Sequence, residues 1–180
     1  MERSITMVAL FAALIAVLGL FPSFMLFTGV PISAQSLGVM LCGAVLGARR
    51  GALAVLLFLL LVALGLPLLA GGRGGLGAFV GPTSGFLYGF PVAAFVTGWV
   101  AQNWRGVSLT ISAATGALIG GVGVLYACGA AGMMLVIGLS LPEAVAALAA
   151  FIPGDIIKAV ITGAIAGAIH RARPGLVLTR

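Results

Sequence analysis

The sequence predicts an all-α integral membrane protein of about six transmembrane helices, with both termini on the cytoplasmic side. Three observations predict it. Hydrophobic residues fill 62% of the 180 positions and charged residues only 7%, for a mean hydropathy of +1.31. Soluble domains carry roughly a quarter charged residues, so a chain this apolar has lipid as its solvent. The apolar residues fall into runs close to the ~20 residues that cross a bilayer. The basic residues stand between the runs, and under this division almost all of them lie on one side.

The runs are 4–21, 33–48, 51–69, 83–104, 108–130 and 153–171. The first, in MERSITMVALFAALIAVLGL, has the look of a secretory signal, but further apolar runs follow at once and make it a first span. It carries Ala9-x-x-x-Ala13 and Ala12-x-x-x-Ala16, small residues at a spacing that lets helix backbones approach in lipid. The second opens with Pro31-Ile-Ser-Ala-Gln35, where Ser33 is placed as a helix N-cap. Gln35 contributes an amide that both donates and accepts. This run is short, which predicts a steep or locally shielded helix.

The third run leads into a glycine-rich loop, 68–82, with Arg73 at its centre. The fourth begins with Thr83, Ser84 and Tyr88 and ends with Trp99 and Trp104 just before Arg105, as interfacial aromatic belts do. After the fifth, residues 141–151 form an extra helical piece. Glu143, following Pro142, reads there as a water-exposed first-turn residue. The sixth starts at Pro153, since proline suits the first helical position.

Arg3, Arg49-Arg50, Arg105 and Arg171/Arg173/Arg180 then share one side, and Arg73 stands alone on the other. The positive-inside rule places the first set in the cytoplasm. The spans occupy most of the chain, so residues 1–180 form a single membrane domain. The +6 net charge does not indicate nucleic acid, because the basic residues form no stripe and no aromatics interleave with them. Glycines spaced by four (Gly43/Gly47/Gly51, Gly85/Gly89, Gly116/Gly120, Gly163/Gly167) predict close helix packing, either within the chain or against a partner.

Charge inside membrane segments costs on the order of 2.5–3.5 kcal/mol per residue and asks for a reason. Away from the cytoplasmic boundary the candidates are Arg73, Glu143, Asp155 and Lys158. Asp155 and Lys158 share a helix face at i,i+3, with Asp155 in a first turn where the helix dipole favours a carboxylate. Two readings stand: an ion pair that satisfies two buried charges, or a site where the carboxylate takes ligand N–H groups and the ammonium meets a ligand acid.

Gly72-Arg-Gly-Gly-Leu-Gly77 fits G-x-G-x-x-G, but no strand precedes it and no acidic residue follows about 20 positions on, so a nucleotide loop is excluded. The glycines instead allow a lid that folds over a site. Arg73 either holds an anion there or sits among lipid phosphates. His170 lies among the cytoplasmic arginines, away from Asp155, and Cys42 and Cys128 read as separate buried thiols. Neither a catalytic constellation nor a metal cluster is present.

Pro31-Ile-Ser-Ala-Gln35, Gly71-Gly-Arg-Gly-Gly-Leu-Gly77, Gly81-Pro-Thr-Ser-Gly85-Phe-Leu-Tyr-Gly-Phe90 and Pro153-Gly-Asp-Ile-Ile-Lys158, in that order along the chain, resemble the BioY family. These are the biotin-specific substrate-binding (S) components of energy-coupling-factor (ECF) transporters. The resemblance implies a non-enzymatic subunit of the bacterial plasma membrane that captures biotin from outside and needs no cofactor. A transmembrane T component and two ATPase subunits would supply the energy. It further implies that Asp155 accepts a biotin ring N–H, that Lys158 or Arg73 pairs with the carboxylate tail, and that Gln35, Thr83 and Tyr88 are secondary contacts. Ala9 and Ala13, or Ala12 and Ala16, would meet the T component. Ser33 and Ser84 depart from the threonine and glycine common in relatives. A self-sufficient secondary transporter or channel is the alternative, and it would require an ion-coupling group that only Asp155 offers. A membrane enzyme would require a catalytic constellation.

Overall fold

The computed structural model describes residues 2–25 and 30–179. Arg180, counted above with the last basic cluster, lies outside the described residues. The first helix, α1, spans Glu2–Gly19. Two short antiparallel strands follow, β1 (Phe24–Met25) and β2 (Pro31–Ile32), with Phe24 opposite Ile32. Next come α2 (Gln35–Leu41), which runs on as a π-helical turn over Cys42–Leu46, and α3 (Ala48–Ala63). A 3-10 turn, Leu76–Phe79, precedes α4 (Ser84–Asn103). Then α5 (Leu109–Ala117) passes through a π segment, Leu118–Val124, into α6 (Leu125–Ile137). The chain ends with α7 (Leu141–Ala149), α8 (Ile152–Ala172) and a 3-10 turn, Pro174–Leu176.

Among the described residues, four helices are long and apolar enough to cross a membrane: Glu2–Gly19, Ser84–Asn103, the continuous Leu109–Ile137 and Ile152–Ala172. Gln35–Leu46 is a shorter apolar helix. Burial matches lipid as the solvent. Thr97, Ser112 and Thr162 are fully enclosed, while Leu20, Leu64 and Leu135 stand on the exterior. The chain is therefore an integral membrane protein, with a core of Ile15, Val39, Val55, Phe58 and Met133 among its enclosed side chains.

Several boundaries differ from those the sequence predicts, each for a local reason. The third helix covers 48–63 rather than 51–69. Its first turn tolerates Arg49 and Arg50, and left-handed Gly65 (φ +100°) and then Pro67 end it early. The fifth runs beyond residue 130 to Ile137, because the stop is Gly138 in the left-handed conformation. At 29 residues this helix is about 43 Å long, more than a ~30 Å hydrocarbon core, and must tilt. The second helix begins at Gln35, not Ser33. Ser33 sits one residue ahead of the cap position, where its hydroxyl accepts the Gln35 N–H at 3.4 Å.

The spaced glycines serve packing within the chain. A Cβ on Gly85 would lie 2.3 Å from the Cys128 carbonyl and 2.8 Å from Gly132, so α4 and α6 cross with backbones in contact. Gly163 meets the Thr110 carbonyl in the same way, joining α8 to α5.

One end of the bundle gathers the termini. Arg3 donates to the Gly175 carbonyl. The Leu178 N–H and the Thr179 hydroxyl donate to the Val45 and Ala44 carbonyls, at 2.8 and 2.7 Å, covering acceptors left at the end of the α2 unit. Gln102 accepts the Ala48 N–H at 3.1 Å, which ties the start of α3 to the end of α4 beside Arg105. Arg3, Arg49, Arg50, Arg105, Arg171 and Arg173 thus lie toward one end, and the first turns of α2, α4 and α8 lie toward the other.

Candidate functional site

At that second end, α2, α4, α6, α8 and the 68–82 loop line a partly open chamber with about 60 Å³ of cavity space. Its walls are mainly apolar. Phe151 packs against Phe86 and Tyr126, with ring centroids 6.1 and 6.4 Å away. Such a lining, with a few convergent polar groups, is the usual build of a small-ligand site.

Asp155 and Lys158 lie one above the other on α8 and make an ion pair at 2.7 Å. Asp155 Oδ1 also accepts the Ser36 hydroxyl at 3.1 Å, and Oδ2 accepts the Tyr126 hydroxyl at 2.8 Å. Lys158 Nζ donates to the Ser33 carbonyl at 2.8 Å and to Ser36 Oγ at 2.9 Å. Counting groups separates the two charges. An ammonium has three donors, and all three are engaged. A carboxylate has about four acceptor positions, so one is left over.

Arg73 reaches the chamber from the loop. Gly71 and Gly72, both with positive φ, turn the chain so that Arg73 folds back and pairs with Leu69 across the turn. Its Nε donates to the Ala70 carbonyl at 3.1 Å and Nη1 to Thr83 Oγ1 at 3.5 Å. Among the described residues, three of the five guanidinium donors have no acceptor. Partial burial lowers its pKa, although an arginine so placed remains charged. Asp155 and Lys158 cancel, which leaves Arg73 as the one uncompensated charge in the lining among the described residues.

Gln35 is buried in the wall, but its amide is committed. Nε2 donates to the Leu68 and Ile15 carbonyls at 3.0 and 3.3 Å, and Oε1 accepts the Ala70 N–H at 3.0 Å. Gln35 therefore fixes the loop segment from which Arg73 extends. Thr83 is buried and lines the chamber. Tyr88 is not brought to it: the side chain is 60% exposed and its hydroxyl donates to the Phe79 carbonyl at 3.1 Å. Residues 86, 87 and 90 face the chamber, and residue 88 projects from another side of α4.

Sequence reasoning missed Ser36 and Tyr126, which hold both oxygens of Asp155. Ser36 adjoins the quoted Pro31–Gln35 segment, and Tyr126 is the sole aromatic in the glycine-rich stretch 118–137. Of the paired alanines on α1, Ala9 and Ala13 are exposed, Ala12 is buried and Ala16 packs partly against the core.

Known proteins are similar to this chain along nearly its whole length. The chain is 53% identical to a Rhodobacter capsulatus protein named biotin transporter BioY, over the full length of both. It is 51% identical to the protein of that name from Rhizobium etli, covering 96% of this chain and 95% of the relative. A crystal structure of the S-component for biotin from an ECF-type ABC transporter superposes with a TM-score of 0.89 at 30% identity, covering 94% of this chain and 92% of that one. The BioY family profile matches residues 2–175, and this chain belongs to the BioY family.

Proposed function

We propose that this chain is the biotin-binding capture subunit of an ECF-type vitamin uptake transporter in the bacterial plasma membrane. The observation that carries the reading is the charge layout of the chamber: a neutral Asp155–Lys158 pair among aromatic walls, with Arg73 as the single uncompensated cation among the described residues. Biotin is complementary to this. It has a cyclic urea with two N–H donors, an apolar thioether ring and one carboxylate. Asp155 accepts a ring N–H at its remaining acceptor position. Arg73 takes the carboxylate, since it has donors to spare and Lys158 has none. Thr83 orients Arg73 and Gln35 anchors its loop, while Tyr88 stands outside the lining.

The chamber end faces outward in this reading, with loop 68–82 as an external cover and the arginine-rich end in the cytoplasm. Six membrane crossings by the single domain follow if α2 with its π turn and α3 count as short spans beside the four long ones. Ala9 and Ala13, free on the outer face of α1, are the pair that meets a transmembrane T component. Ala12 and Ala16 pack inward. ATPase subunits supply the energy, and the chain itself performs no chemistry.

Equilibrium binding of labelled biotin to the purified chain in detergent, with riboflavin and thiamine as competitors, tests the assignment. One-to-one binding resisted by both competitors is the expected result. A folded protein that ignores biotin would overturn it.

A further inference from the structure

We propose that the groove between the first turn of α3 and the last turns of α4 binds one anionic phospholipid, with its phosphodiester on Arg49 and Arg50 and an acyl chain laid along α4. The groove is lined by Arg49, Arg50, Phe95, Trp99 and Gln102. Both arginines are exposed, and neither has a carboxylate or hydrogen-bond partner among the described residues. Gln102 has its oxygen occupied by the Ala48 N–H at 3.1 Å, so its side chain presents no free acceptor from that oxygen to an anion. The lining therefore offers donors and positive charge but no acidic group, and the forked guanidinium suits a phosphate.

The rest of α4 identifies the anion as a lipid. Tyr88, Val92, Phe95 and Trp99 recur at i, i+4, i+7 and i+11, and all are between 42% and 60% exposed. They form one apolar and aromatic stripe that ends at the two arginines. Its length is about 16 Å, close to the ~15 Å hydrocarbon depth of one leaflet. A soluble anion would gain nothing from that track, whereas an acyl chain fills it. Trp99 sits where interfacial tryptophans meet headgroups.

The test begins with wild-type groove chemistry. A Trp104→Phe protein keeps Trp99 as its single tryptophan. In detergent, brominated phosphatidylglycerol should quench Trp99 at about tenfold lower concentration than brominated phosphatidylcholine, as expected for two cations near a headgroup. Adding Arg49→Gln and Arg50→Gln should abolish that preference, while Arg173→Gln, at the same end but outside the groove, should keep it. Equal quenching by the two lipids would overturn the proposal. So would displacement by millimolar inorganic phosphate, which would mark a site for a free anion. Retained lipid preference in the double variant, together with lost association with partner proteins, would make the groove a protein-docking surface and equally overturn it.

Discussion

Lys158, on α8, donates to the backbone carbonyl of Ser33, 125 positions earlier in the chain, at 2.8 Å. One side chain thus joins the start of α8 to the residues that lead into α2, and the same ammonium holds Asp155 in place. The pair is both part of the proposed ligand site and a fastening between two helices, so its variants must be read on both scales.

Asp155→Asn should weaken biotin binding by at least tenfold, because a charge-assisted hydrogen bond to the ring is lost. It also leaves the half-buried Lys158 without its counter-charge, which costs up to about 3 kcal/mol. Asp155→Asn/Lys158→Met should recover much of that stability without restoring affinity. Thermal unfolding and equilibrium binding on wild type, Asp155→Asn, Lys158→Met and the double variant separate the two effects.

Tyr126→Phe keeps the ring against Phe151 and removes one hydrogen bond to the Asp155 carboxylate. Hydrogen bonds to charged groups contribute about 1.5–3 kcal/mol. The melting temperature should fall, and biotin affinity should fall with it, since Asp155 loses one of the groups that orient it. Unchanged affinity in calorimetry would remove Tyr126 from the site.

Arg73→Gln should lower affinity for biotin by about tenfold or more, as expected on losing a charge-assisted pair. Biotinamide, which lacks the carboxylate, should bind wild type and variant alike. A variant that loses affinity for both ligands equally would show that Arg73 only shapes the loop.

Ala9→Leu/Ala13→Leu should leave biotin binding intact and block biotin uptake in cells, because both positions lie on the exposed face of α1. Ala12→Leu should instead destabilise the isolated chain by about 1–3 kcal/mol through overpacking, as Ala12 is only 2% exposed. Uptake and thermal stability measured side by side distinguish the faces.

Glu143 accepts both the hydroxyl and the N–H of Ser140, at 2.6 and 2.8 Å, and these bonds hold its pKa below the usual carboxylate value. The folded value is the lower one. The cap therefore contributes fully above the unfolded pKa and is lost as pH falls through the folded one. Protection of the amides in the first turn of α7, measured relative to intrinsic exchange at each pH, should fall as acidification protonates Glu143 below the ordinary glutamate range. Glu143→Gln should remove that pH dependence.

The fold was legible wherever the signal was local. Pro153 marks the start of α8 within one residue, and the Asp155–Lys158 pairing follows from i,i+3 spacing. Helix ends were less legible, because Gly138 stops α6 through its backbone conformation rather than through a loss of hydrophobicity. The supports of Asp155 come from residues 29 and 119 positions away, which no local pattern reports. Gln35 shows the same limit differently. Its amide is visible in the sequence, but that its three hydrogen bonds go to the loop and to α1 depends on how the helices assemble.

The lone charge of Arg73 has an electrical consequence. A site with one net positive charge becomes neutral when a monoanion enters it. If that site changes its depth in the membrane, the field does no work on the site's own charge while it is loaded. After release the same movement exchanges up to about 2.3 kcal/mol per 100 mV for a full crossing. In a cell with a negative interior, voltage would hold the unloaded site inward and slow its return, so the membrane potential would govern the recovery stroke of the cycle and leave delivery untouched.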